Sequence, residues 1–432
     1  MARIKLAYIG GGSTRAPGTM ASFMEQGANF QGSEVVLIDL DAERLDLVRT
    51  IAEKLARQKG LDLRVTATTD RRAGLDGCDA VLSSFRPGGF AARAHDEAIP
   101  LKHGVIGQET QGPGGFFMAL RAIHAMQGIV ADMELACPGA WLVNYTNPIN
   151  IVAQAVTRHT AIPTVSLCEG PIIYPRGVAA AAGLDPAKVA AVAIGLNHAS
   201  WTVRHRYDGA DILPHIEAAL ARERAAPALD RDAVRMLELA SAMGTLPSHY
   251  MRYYYYGDEI LAELQAKPTT RAQDIMAAVP DYWAHYRTQA ERDVPTLEPD
   301  RSRGGINELE LAIDVLDAIF NDKGEVWPVN VTNHGALPDF PDDLVVEVPG
   351  YVDRSGIVPL SYGPLPRSVA GLVKQLGEYQ SLTADAAWHG GHREAIQALT
   401  SNPLVRTLPK AEALYDELAA AHRDFLPERL LR

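Results

Sequence analysis

Apolar residues recur along this chain in short runs, each closed by glycine or by a polar turn former. The first, residues 3–9 (RIKLAYI), stops at Gly10; a stretch compatible with a helix follows up to Gly27, and a second run occupies residues 34–40 (EVVLIDL). An amphipathic stretch over 42–58 and further runs at 62–68, 79–85, 141–146 and 162–168 continue the alternation. Strands alternating with helices predict an α/β fold built on a Rossmann-type, doubly wound parallel sheet. The strands are nearly all apolar, as they are when helices cover both faces of a sheet.

Past residue 170 the texture changes. Helical stretches at 173–183, 212–223, 232–266 and 307–321 are interleaved with strand candidates at 188–207 and 326–352, which predicts a second, mixed α+β unit. The expected division is therefore 1–170 and 171–432. No Pro- or Ser-rich linker separates the two, so they are expected to share an extensive interface.

Composition narrows the partners. The 432 residues carry 41 Lys and Arg against 53 Asp and Glu, a formal net charge of −12, so the overall field repels polyphosphates and anionic lipid heads. Nucleic acid and membrane are not expected as partners, although a local basic pocket for one small anion remains compatible with the total. Three cysteines, Cys78, Cys137 and Cys168, are too few to staple a chain of this length, which points to a reducing cytoplasm. Residues 6–9 are too short for the apolar region of a signal peptide, and no run approaches the ~20 residues of a membrane span.

Gly10, Gly11, Gly12 and Ser13 follow the first strand and open a helix, where backbone N–H groups can approach a pyrophosphate. The third glycine of the dinucleotide fingerprint is missing, since Arg15 takes its place. Asp39 ends the second strand, 27 residues beyond Gly12, where a carboxylate accepts the ribose 2′-hydroxyl and repels a 2′-phosphate. NAD is thus expected over NADP.

Ligands bind at the carboxyl ends of parallel strands. Those ends carry Arg86-Pro87-Gly88-Gly89, Asn144-Tyr145-Thr146-Asn147-Pro148 and Cys168-Glu169-Gly170-Pro171, and a later apolar run ends at Asn197-His198. Taken alone, a strand-end cysteine is commonly a small buried hydrophobe and a single histidine a hydrogen-bonded structural group. Cys168 and His198 stand 30 residues apart, which is no zinc-finger spacing. His389 and His392 (HGGH) read as a solvated helix start.

The strings GGGSTRAPG, SFRPGGFAARAHDEAIPLKHGVIGQETQGPGGF, NYTNPIN, LCEGP, GLNHASW, SHYMRYYYY, the Arg303-Gly304-Gly305 block and NHGALPDFPDDLVVEVP, in that order, resemble glycoside hydrolase family 4 over about residues 3 to 405. That family is an exception to two-carboxylate hydrolysis and depends on NAD. The resemblance implies a fold like lactate and malate dehydrogenases, bound NAD+, and a divalent metal such as Mn2+. The implied route is oxidation at sugar C3, proton removal at C2, elimination of the C1 leaving group, addition of water and return of the hydride. It implies Cys168 and His198 as metal ligands, Tyr250 as the C2 base, Asn147 as a sugar contact, and Arg93, Glu109 and Arg303 as substrate-lining residues. It further implies a small glycoside carrying an anion at C6, most simply a 6-phosphoglucoside, and a homodimer or homotetramer.

Two departures bear on the substrate. Phospho-sugar members commonly place Asn or Asp after the metal cysteine, whereas this chain has Glu169 followed by Gly170; Ile306, Asn307 and Glu308 depart after the Arg-Gly-Gly block. Glu169 then stands as either the acid that protonates the leaving oxygen or a hydrogen-bonding side chain. The competing readings are the same mechanism on a non-phosphorylated or other acidic sugar, a simple NAD-dependent sugar or hydroxyacid dehydrogenase, and a non-catalytic NAD sensor. Cys168 with His198 argues against the dehydrogenase, which needs no thiolate metal site.

Overall fold

The computed structural model describes residues 1–303 and 310–431. Gly304, Gly305 and the departing residues Ile306, Asn307 and Glu308 lie outside the described residues.

The strands are β1 (Lys5–Ile9), β2 (Ser33–Ile38), β3 (Leu63–Thr68), β4 (Ala80–Ser83), β5 (Trp141–Asn144), β6 (Thr164–Ser166), β7 (Val189–Leu196), β8 (Ala199–Tyr207), β9 (Ala210–Asp211), β10 (Glu325–Thr332), β11 (Val345–Asp353) and β12 (Gly356–Pro359). Among the described residues they form one sheet in the order β3-β2-β1-β4-β5-β6-β10-β11-β7-β8-β9, with β12 on β11. The first six are parallel, in the order 3-2-1-4-5-6 of doubly wound dinucleotide folds. From β6 onward every pairing is antiparallel. The sheet thus continues past residue 170.

Both faces are apolar, as the runs predict. On β1, Ala7 and Ile9 pack into one core with the helix Gly112–Ala136, while Leu6 and Tyr8 pack into the other with the helices Ala16–Glu25 and Ala42–Gln58. The strand candidates at 188–207 and 326–352 each resolve into a hairpin, β7–β8 and β10–β11. The predicted helix over 232–266 is broken. Arg231–Met243 ends at Gly244, whose φ of 70° is left-handed, and Arg252–Tyr255 and Gly257–Ala266 follow as separate helices.

A row of buried residues, polar except for Gly195, crosses the sheet where the parallel strands end. Backbone register places Ser83, Asn144, Ser166, Asn330, Glu347, Gly195 and Ser200 side by side on seven successive strands. Ser83 Oγ donates to Asn144 Oδ1 (2.8 Å), and Asn144 Nδ2 donates to Ser166 Oγ (2.9 Å). Across the joint, Asn197 Nδ2 and Asn330 Nδ2 both donate to Glu347 Oε1, at 2.9 and 3.3 Å. Polar groups so buried must be bonded to one another, which pins the strand ends laterally.

Gly10 closes β1 with φ +97°, and a Cβ there would lie 2.1 Å from Ser84 O. Gly10→Ala combines left-handed strain with overpacking and should cost about 2–4 kcal/mol in denaturant unfolding. Gly139, where a Cβ meets nothing within 4 Å, is the control. Equal stability of the two alanine variants would contradict this packing.

Candidate active site

Two segments 30 residues apart in sequence face each other beyond the polar row. Cys168 lies two residues past the end of β6, and His198 is the second residue of the tight turn joining β7 to β8. His198 has φ 63°, a left-handed conformation that costs a non-glycine residue about 1–2 kcal/mol and recurs at functional sites. Its Nε2 is 3.9 Å from Cys168 Sγ, and its Nδ1 is 3.0 Å from Thr110 Oγ1. The ring of Tyr250 stacks on the His198 ring, with centroids 3.7 Å apart and planes 12° from parallel. Cys168, His198 and Tyr250, chosen from sequence, therefore meet.

Burial dominates their titration. It pushes the Cys168 thiol up to about 12, with Glu347 adding to the effect, and it pushes His198 down to about 3 against the opposing pull of Glu109. Burial likewise raises the Tyr250 phenol, followed by the charge of Glu109. Each group is thus held neutral.

Guanidinium groups form the next layer. Glu109 Oε2 pairs with Arg86 (2.6 Å) and Arg93 (2.8 Å), and Arg93 also pairs with Glu97 (2.7 Å). Burial alone would raise the Glu109 pKa, but Arg86, Arg93 and Arg303 override it and hold the group as a carboxylate. Arg303 lies 4.3 Å above the Phe90 ring. Its own pKa is lowered to about 10, first by burial and then by the like charges of Arg15 and Arg86. A strongly basic pocket therefore sits inside an acidic protein.

The glycine loop lies at the same edge of the sheet. Gly10 and Gly11 N–H both donate to Ile38 O, and Gly12 N–H donates to Asp39 Oδ2 (2.9 Å), so the loop and the carboxylate are held together. Ser13 N–H turns back to Gly10 O, and the helix Ala16–Glu25 starts just beyond, with Arg15 at its N-cap. Asn147 is half-buried beyond β5, ahead of a cis bond to Pro148, and Glu169 caps the helix Gly170–Ala181 beside Cys168. His389 packs edge-on against His159 and His392 against Tyr415, in neither case with the cluster around Cys168.

The residues fit the groups that the sequence resemblance implied. The loop, the helix N-terminus and Asp39 suit a dinucleotide. At 3.9 Å apart, the Cys168 sulfur and the His198 nitrogen are close enough for one divalent ion to be held by both. Among the described residues no group of three or more His, Cys, Asp or Glu is placed to hold a metal, so such an ion would keep positions open for oxygen ligands.

A Family 4 glycosyl hydrolase profile matches residues 5–184, and the C-terminal domain profile of the same family matches residues 193–405. The chain belongs to family 4 of the glycosyl hydrolases. It is 36% identical over 434 residues, 98% of each chain, to a probable 6-phospho-beta-glucosidase of Bacillus subtilis. A 6-phospho-alpha-glucosidase from gut microorganisms, solved with NAD and Mn2+, superposes with a TM-score of 0.87 at 27% identity over 100% of both chains. The 6-phospho-beta glucosidase of Thermotoga maritima, solved with manganese, NAD+ and glucose-6-phosphate, gives 0.85 at 26% identity over 98% and 99%. The lactate dehydrogenase of Cryptosporidium parvum, at 15% identity and a TM-score of 0.55 over 89% and 99%, shares the fold alone. Among the described residues no helix is long and apolar enough to cross a membrane.

Sequence reading passed over three residues of this family 4 site. Thr110 and Gln108 flank Glu109 in the GQET string, where the acid alone drew notice. Glu347 was visible as a carboxylate inside an otherwise apolar run, a pattern that signals a buried, partnered charge.

His198 titrates at about 3 when folded and near ~6.5 when unfolded, so the unfolded chain binds the extra proton between these values. Stability of the metal-free protein should fall as pH drops from about 6.5 toward 4. His198→Asn should reduce that slope by up to about 1.4 kcal/mol per pH unit. Unchanged slopes in urea titrations across this range would refute the assignment.

Proposed function

We propose that this family 4 enzyme hydrolyses 6-phosphoglucosides with NAD+ bound at Gly10, Gly11, Gly12, Ser13 and Asp39 and a divalent cation, Mn2+ by likeness to its relatives, at Cys168 and His198. One observation carries the reading: a thiol, an imidazole and a phenol converge beside a pocket of arginines. When bound, NAD+ supplies a hydride acceptor at sugar C3 and the cation a Lewis acid for adjacent sugar oxygens.

The chain's own residues do the rest. Tyr250 removes the C2 proton. Its phenol is a strong base once ionised, and positive charge introduced next to His198 favours ionisation against the burial that opposes it. Stacking on His198 fixes the ring. Arg86, Arg93, Arg303 and Arg15 receive the C6 phosphate, with Glu109 holding the first two in place, and this arrangement favours an anionic sugar over a neutral one. Asn147 contacts the sugar. Glu169, at the N-cap of the helix Gly170–Ala181, protonates the leaving oxygen. Residues 1–170 form the cofactor-binding unit and also carry Cys168 and three of the four arginines, while 171–432 add His198, Tyr250 and Arg303 to the substrate and metal site and mediate assembly, in a cytoplasmic homodimer or homotetramer. Retained free cysteines support the cytoplasmic setting.

Turnover of nitrophenyl 6-phosphoglucosides of both anomers should need NAD+ and Mn2+, accumulate no NADH, and exchange a C2 deuterium with solvent. Stoichiometric NADH release would instead make the protein a dehydrogenase. Tyr250→Phe keeps the stacked ring and should lower the rate by on the order of 10²–10⁴ with little change in stability. Glu169→Gln should impair alkyl glycosides while sparing nitrophenyl ones, whose leaving group needs no proton. Equal loss on both would remove the acid role.

A further inference from the structure

The hydrogen bonds around Thr110 determine where the single proton of His198 sits. Gln108 Oε1 lies 2.6 Å from Thr110 N and 2.8 Å from Gln111 N. Backbone amides only donate, so this end of the Gln108 amide is its oxygen. Thr110 Oγ1, 2.9 Å away, donates its only proton to the same oxygen, a third bond to it. Towards His198 Nδ1, 3.0 Å away, Oγ1 therefore acts as acceptor, and Nδ1 carries the N–H. A neutral imidazole has one N–H, which leaves the lone pair on Nε2, the atom facing Cys168 Sγ.

The segment that imposes this order is tightly packed. Thr110 is 7% exposed. A Cβ on Gly115 would lie 2.3 Å from Thr110 C, so the following helix presses directly on the threonine backbone. Gln111 is tied in turn by Tyr254, whose hydroxyl donates to Gln111 Oε1 at 2.6 Å. Stacking of Tyr250 on the imidazole prevents the ring from turning away.

We propose that Thr110, locked by Gln108, is a positioning residue that holds His198 in its Nδ1–H tautomer and so presents the Nε2 lone pair to the cation shared with Cys168. The inference rests on the reading of Cys168 and His198 as the metal pair. Partners of this kind, one shell behind a ligand, typically change metal affinity by ~10–100-fold when removed.

Two measurements test it. In the full-length, metal-free protein labelled with 15N-histidine, the His198 nitrogens, identified by their loss in His198→Gln, should show a protonated Nδ1 and an unprotonated Nε2. A proton on Nε2 overturns the proposal without any change at position 110. Mn2+ binding, followed by the free-ion EPR signal, should weaken by ~10–100-fold in Thr110→Val, which keeps the shape and loses the hydroxyl, and should stay near wild type in Thr110→Ser. Thr110→Val binding within twofold of wild type overturns the positioning role. Cys168→Ser binding Mn2+ as tightly as wild type removes the metal reading and this proposal with it, by a result distinct from the Thr110→Val one.

Discussion

A single buried carboxylate sets the geometry on which the site depends. Glu347 is the third residue of β11, 1% exposed, where burial raises its pKa to about 6 against the hydrogen bonds that favour its charge. Left unpaired, such a group would cost several kcal/mol, on the order of the stability of a whole domain. Asn197 and Asn330 supply the bonds. Within the sheet, among the described residues, β6 pairs with β10 through one register pair, Ser166 with Asn330, and β11 pairs with β7 through one more, Glu347 with Gly195. These narrow joints are reinforced by the side-chain bonds of the polar row. Cys168 follows Ser166 by two residues and His198 follows Asn197 directly, so the row that satisfies Glu347 also sets the 3.9 Å between sulfur and nitrogen.

Charge is distributed by the same logic. The chain as a whole is acidic at −12, which discourages diffuse binding to polyanions. Arg15, Arg86, Arg93 and Arg303 concentrate the opposite sign in one pocket, where the low pKa of Arg303 reports burial and mutual repulsion. An anion entering this pocket relieves that repulsion. Next to it, Cys168, His198 and Tyr250 are kept neutral by burial; a cation would favour the ionised forms of Cys168 and Tyr250, while neutral His198 already offers a lone pair. The two clusters thus suit two oppositely charged guests side by side.

Much of this was legible in the chain itself. Nearly continuous apolar runs mark buried parallel strands, and each of the six from β1 to β6 falls within its predicted run to within a residue. Cys168 and His198 had no diagnostic spacing, because their closeness comes from topology: β10 and β11, over a hundred residues later, insert between β6 and β7. Periodicity carries no information about such an insertion. The helix over 232–266 failed where Gly244 imposes a left-handed turn within a long helical stretch. The long helix Gly112–Ala136 was hidden by its glycine-rich start, whose small residues serve close packing against Thr110 and Asp96. Thr110 and Gln108 are ordinary residues in a loop, and their role depends on the direction of hydrogen bonds that only coordinates reveal.

The central claim is that the sheet brings one thiol and one imidazole together to hold a single ion. Cobalt(II) reports on this directly, because a thiolate ligand adds an intense near-ultraviolet charge-transfer band to its spectrum. The account predicts one Co2+ bound per chain with that band present in the wild-type protein and absent in Cys168→Ser. Binding without the band, or a band that survives in Cys168→Ser, would contradict it.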